Sequence, residues 1–241
     1  MACARVVYKR GSVAVMERTP GSPLAVMCAA VLCIVALQVL HLDQQLADWL
    51  YAWQGASWRW RHAPWLSHVI HTRGQQAAQL VYVCVLVVAL VSWQTRWLSD
   101  WRRRLTYAAL AMTLCYAIVA GSKALLPVPC PWDLARYGGH LPDGSFLHWQ
   151  AQATAVKGCF PSGHAAGGYV LFALYFAAAG FDDRMARAWL ACALVVGITF
   201  GIAQQLRGAH FLSHDVATAA VCWSVCAMLK RLLPGGEQSC P

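Results

Sequence analysis

The chain has 241 residues, of which 59% are hydrophobic and only 12% charged. Soluble domains carry roughly a quarter of their residues as charged side chains, so the composition excludes an ordinary soluble enzyme and points to an integral membrane protein of one domain. The formal net charge of +9 then reads as cytoplasmic loops held against an anionic leaflet, with no call for nucleic acid as a partner.

Residues 1–23 carry Arg5, Lys9, Arg10 and Arg18 and read as a basic cytoplasmic segment. A first membrane span is expected over about Leu24–Leu42. The long basic lead, with no small-residue cleavage site before Asp43, reads as a retained span rather than a signal peptide. In the mixed stretch that follows, Leu46, Trp49, Leu50 and Trp53 recur at helical spacing and predict a short helix lying in the interface. Trp58, Trp60 and Trp65 suit the same wet–dry boundary.

Further spans are expected over about Ala77–Trp93, Leu105–Leu126, His164–Phe181, Ala188–Leu206 and His210–Leu229. The fold class is therefore all-α, a bundle of six transmembrane helices over residues 24–233, with residues 234–241 as a tail. Basic clusters precede span one, separate spans two and three and follow span six, which places both termini in the cytoplasm. Residues 43–76, 127–163 and 207–209 then share the opposite face, and the longest of these forms a Pro- and Gly-rich loop. Seven of the eleven cysteines lie in apolar runs and read as small core residues, whereas Cys130 and Cys159 lie in that loop.

Three polar features converge on the outer face. Lys123 ends span three, where a cation is costly unless it meets water or an anion. Pro161-Ser162-Gly163-His164 opens span four, and a helix start with free N–H groups attracts anions. Arg207-Gly208-Ala209-His210-Phe211-Leu212-Ser213-His214-Asp215 joins spans five and six. His210 and His214, four apart, share one helical face. No third ligand has matching placement, so the pair reads as one reacting imidazole oriented by its neighbour, without a metal.

With these three motifs the sequence resembles the type-2 phosphatidic acid phosphatase superfamily, in its six-span membrane branch. That family's pattern is a Lys, six residues and Arg-Pro, then Pro-Ser-Gly-His, then Ser-Arg, five residues, His, three residues and Asp. Here Lys123 is followed by Cys130-Pro131, Pro161 to His164 matches in full, and His210 stands at the family's reacting His. Gln204 stands where the family has Arg, and His214 where it has Asp. The resemblance spans roughly residues 105–229.

The resemblance implies attack by His210 on phosphorus to give a phosphohistidine. It implies His164 as the proton donor and then the base, with Lys123, Ser162 and the N–H groups around Gly163 on the phosphate oxygens. Arg207 is expected to supply the missing clamp, being one turn from Gln204. His214, or Asp215 after a local bulge, is expected to orient His210. A second register, with His214 as nucleophile, stays open. Arg136 or His140 are further candidates for the Arg absent at Cys130, against a packed loop as the plainer reading. Cys130 and Cys159 adjoin the motifs and face an oxidising periplasm, so a disulfide between them is expected.

The function expected from the sequence is a lipid phosphatase of the bacterial inner membrane, its site facing the periplasm. It is expected to act without cofactor on a lipid phosphate or diphosphate of the undecaprenyl, phosphatidylglycerophosphate, phosphatidic acid or lipid A type. A lipid phosphotransferase and a non-catalytic lipid-binding or transport relative are the alternatives. Oligomeric state is not legible.

Overall fold

A computed structural model describes residues 22–144 and 158–233; the expected N-terminal basic segment and C-terminal tail fall almost wholly outside the described residues. The described residues form helices and no strand. Helix α1 (Pro23–Val39) starts with proline in its first turn, where the missing N–H costs nothing. It turns by 60° at His41, which adopts a left-handed conformation, into α2 (Leu42–Trp53). A 3-10 turn (Arg59–His62) and a π-helical segment (Trp65–Arg73) lead into α3 (Gly74–Ser92). Helix α4 (Arg102–Leu125) is followed by a loop with two 3-10 turns, Pro131–Asp133 and Ala135–Tyr137. The remaining helices are α5 (Gly163–Tyr169), α6 (Phe172–Ala178), α7 (Asp183–Leu206) and α8 (Leu212–Leu232).

Four helical stretches are long and apolar enough to cross a membrane: Trp65–Ser92, Arg102–Leu125, Asp183–Leu206 and Leu212–Leu232. The bent pair α1–α2 passes the same test only as one unit, which raises the number to five. The expected span over 164–181 is instead a shorter pair, because the helix tightens at Val170–Leu171. There Leu171 N–H bonds the Gly168 carbonyl and Ala173 N–H the Val170 carbonyl, three residues apart rather than four. The second expected span is longer than its hydropathy core, since the π segment adds Trp65–Arg73 to its front.

Packing is set by small residues. A Cβ on Gly168 would lie 2.1 Å from the Gly197 nitrogen, and one on Gly197 would lie 2.4 Å from the Tyr169 ring. Helices α5 and α7 therefore meet backbone to backbone. The buried core runs between α4, α5, α6 and α8 through Tyr107, Met112, Cys115, Val170, Phe172, Phe176 and Cys226. The Tyr107 hydroxyl donates to the Cys226 carbonyl at 2.7 Å. Outward faces are apolar: Leu24 is 71% exposed and Leu32 70%, the pattern of a surface meeting lipid rather than water.

The two ends of the bundle differ. At one end Arg102 lies over Trp93, and Arg104 lies 4.0 Å from the Phe181 ring centre, a belt of cations on aromatics. The other end carries α2 and the stretch that follows it, the loop after α4 and the turn between α7 and α8. Tyr51, Trp58 and Tyr137 from these segments pack edge to face there, with ring centres 5.3 to 5.5 Å apart. The three loops expected to share one face do meet.

Candidate active site

The turn between α7 and α8 is built by its backbone. Helix α7 ends in a Schellman motif: Ala209 N–H bonds the Gln204 carbonyl and Gly208 N–H the Gln205 carbonyl, both at 2.9 Å. Gly208 supplies the left-handed residue that this motif needs, at φ +70°. Its α-carbon also sits under an indole, since a Cβ there would lie 2.4 Å from Trp58. The Gly208 carbonyl accepts from Trp132 N–H at 2.9 Å, which ties the loop after α4 to this turn.

Helix α2 holds both helix ends that flank the turn. Gln54 donates to the Leu206 carbonyl at 2.9 Å, satisfying an otherwise free acceptor at the end of α7. Asp43 accepts from Ser213 N–H at 3.0 Å and from Gln38 at 2.7 Å, so a carboxylate from another helix caps α8. Neither role is visible locally in the sequence, because residues 170 and 152 positions apart make these bonds.

This frame presents His210 and His214. Both are buried, and their Nδ1 atoms lie 3.2 Å apart. One of the two must carry the shared proton, and if His210 carries it, its Nε2 keeps a free lone pair. The Cys159 backbone lies in hydrogen-bonding contact with both rings. Cys159 is joined to Cys130 by a disulfide with the α-carbons 5.3 Å apart. Burial, then the charges of His214, Lys123 and His164, push the His210 imidazole well below its ordinary value, so it stands neutral near pH 7.

Asp215 turns away from this pair. Its carboxylate accepts from Gln205 at 2.7 Å and faces the Ser162 side chain and Gly201 of α7. Helix α8 runs unbroken through this point. Of the two expected partners of His210, His214 is the one in contact.

The Pro-Ser-Gly-His segment is locked onto α8. Ser162 N–H donates to the His214 carbonyl at 3.2 Å, and the Thr218 hydroxyl donates to the Ser162 carbonyl at 3.1 Å. The Ser162 hydroxyl caps α5, accepting from Ala165 N–H at 3.5 Å. Lys123 reaches this helix start: a Cβ on Gly163 would lie 3.6 Å from its Nζ. His164 interacts electrostatically with Lys123, with Arg207 and with His71.

Arg207 lies at the rim, its Nε donating to the Arg61 carbonyl at 3.1 Å and its Nη1 to Gln204 Oε1 at 3.2 Å. Among the described residues the remaining guanidinium N–H groups have no hydrogen-bond partner and can meet an anion. Burial and the neighbouring Arg61 lower Arg207 from its usual value, yet a guanidinium stays charged. Arg136 is elsewhere: it forms a two-pronged pair with Asp48 of α2 and lies 3.8 Å from Asp143, while His140 is exposed. Both belong to the packed loop. A cavity of about 180 Å³ adjoins His214, walled largely by Ile34, Val128, Pro129, Phe160 and Phe211.

Lys123, His164, Arg207, His210 and His214 thus gather at one end of the bundle, around the start of α5. Cations, helix-start N–H groups and imidazoles can together bind a phosphate, accept it and move its protons. His71, Asp43, Gln54 and Trp58 complete the arrangement and carry no motif signal in the sequence. The cluster lies within a stretch recognised as a family. No curated protein and no solved structure matches the chain. The model of the PAP2 superfamily matches residues 104–235, more than half of the chain, and the protein belongs to that superfamily.

Proposed function

We propose that the protein is an integral membrane lipid phosphatase that hydrolyses a lipid phosphate or diphosphate through a phosphohistidine. Superfamily membership supports phosphatase-type chemistry on phosphate esters. The observation that carries the reading is the gathering of Lys123, His164 and His210 at the start of α5. In the first step the His210 Nε2 lone pair attacks phosphorus. The bond from phosphorus to the leaving oxygen breaks, and His164 gives that oxygen its proton. In the second step His164 takes a proton from water, the resulting hydroxide attacks phosphorus, and the P–N bond breaks to release phosphate and restore His210. Lys123, Arg207 and the N–H groups at Ser162–Gly163 hold the oxygens on which charge accumulates. The apolar cavity beside His214 suits the hydrocarbon next to the phosphate.

Counting α1–α2 as one bent span and α5–α6 as another gives six crossings. The end that carries Arg96, Arg102, Arg103, Arg104, Lys230 and Arg231 then faces the cytoplasm and the site faces the periplasm of an inner membrane. That orientation agrees with a disulfide next to the site.

The test is phosphate release by purified protein from short-chain lipid monophosphates and diphosphates with different tails. Release from at least one of them is expected, and none from any would contradict the reading. In the same assay Arg207→Ala is expected to lower kcat/KM about 10²–10³-fold, as removal of one oxyanion donor does. Arg207→Lys, which keeps the charge but loses the fork, should fall between Ala and the wild type.

A further inference from the structure

Among the described residues His164 makes no hydrogen bond that would fix its ring, whereas His210 has His214. A general acid without an orienting partner spends most of its time out of line with the leaving oxygen. What His164 does have is a ring: the His71 imidazole lies against it, with centroids 4.0 Å apart and planes inclined by 33°. We propose that His71 is a positioning residue that holds the His164 imidazole in line for proton transfer, an assignment resting on the phosphatase reading above.

The segment that carries His71 is built to place it. It lies on the nine-residue π-helical stretch Trp65–Arg73, a rare conformation that recurs at functional sites. The wide turns are held from within, the Thr72 hydroxyl donating to the Ser67 carbonyl five residues back at 2.9 Å. At its exit, Gly74 is pressed by Phe200 of α7, since a Cβ there would lie 2.8 Å from that ring. The same Phe200 ring reaches Gly167 of α5, one turn after His164, where a Cβ would lie 3.3 Å away. One aromatic ring thus spaces the π segment from α5 at Gly74 and Gly167, each three residues on from its imidazole. The other groups facing His164 are Lys123 from α4 and Arg207 at the end of α7, both cations that bind rather than orient, and His210 across the site.

Leaving-group dependence separates positioning from general damage. An alkyl phosphate needs a protonated leaving oxygen, whereas p-nitrophenyl phosphate expels a stable anion and needs no general acid. His71→Ala is expected to lower kcat/KM about 100-fold on a short-chain alkyl lipid phosphate. On p-nitrophenyl phosphate it should change kcat/KM by less than about threefold. His71→Phe keeps a ring to stack on and should recover most of the loss on the alkyl substrate. Equal losses on both substrates, or no loss with Ala on the alkyl substrate, would overturn the assignment. If the wild type hydrolyses neither substrate, the phosphatase reading itself fails and takes this inference with it.

Discussion

His210→Ala is expected to lower phosphate release by roughly 10⁴-fold or more, because on the proposed mechanism it removes the group that forms the bond to phosphorus. The His210 ring is set for that step on three sides. Its Nδ1 faces His214 at 3.2 Å, the Cys159 backbone contacts it, and Lys123 and His164 lie close enough for their charges to bear on it. On the same mechanism His214→Ala should cost less, about 10²-fold, since it removes the ring that contacts His210 and leaves His210 in place. Asp215→Asn should act mainly on stability, because that carboxylate bonds Gln205 and not His210. The pH dependence has a definite sign. Protonation of His210 removes its lone pair, and its depressed value means that the neutral form persists as pH falls. The acid limb of kcat/KM therefore lies below pH ~6.5, the ordinary imidazole value.

Gly208→Ala is the second change with a large expected effect, although the residue carries no chemistry. The left-handed conformation costs a β-carbon about 1–2 kcal/mol. The new carbon would also lie 2.4 Å from Trp58, whose ring is held by Tyr51 and Tyr137 and has little room to yield. Relief must come from the turn that carries His210 two residues later. A shift of about 1 Å at a reacting group can cost 10²-fold, and a loss of that order is expected together with a lower melting temperature. In Gly208→Ala/Trp58→Ala the clash is gone and only the backbone cost remains, so part of the activity should return. Unchanged kcat and melting temperature in the single variant would show that the turn does not position His210.

Much of this was legible in the residues. Runs of apolar side chains near bilayer length located α3, α4, α7 and α8, since hydropathy alone decides whether a long helix can sit in lipid. The period of Leu46, Trp49, Leu50 and Trp53 located α2. Pro161 to His164 and Gly208 to His210 were legible as motifs, because their chemistry is local. What the sequence hid depends on distant partners. The π segment is a question of which carbonyl each N–H finds. The tightening at Val170–Leu171 occurs where Gly167 and Gly168 lie against α7. Asp43 reads as the start of an interfacial helix, and its role as the cap of α8 exists only once the 60° elbow at His41 brings it there. Arg136 had the right charge for the phosphate, but Asp48 on α2 takes it up. His71 stood among several histidines and arginines with no spacing to single it out; only the stack on His164 does so.

The most direct measurement is a search for the covalent intermediate in His164→Ala. This variant cannot supply the general base for the second step, while p-nitrophenyl phosphate needs no general acid for the first. Rapid quenching should therefore trap phosphate bound to the protein through a base-stable, acid-labile linkage, mapped by mass spectrometry to His210 and absent in His164→Ala/His210→Ala. Phosphate on His214 or on a hydroxyl side chain, or turnover with no trapped phosphate, would contradict the assignment of His210 as the group that attacks.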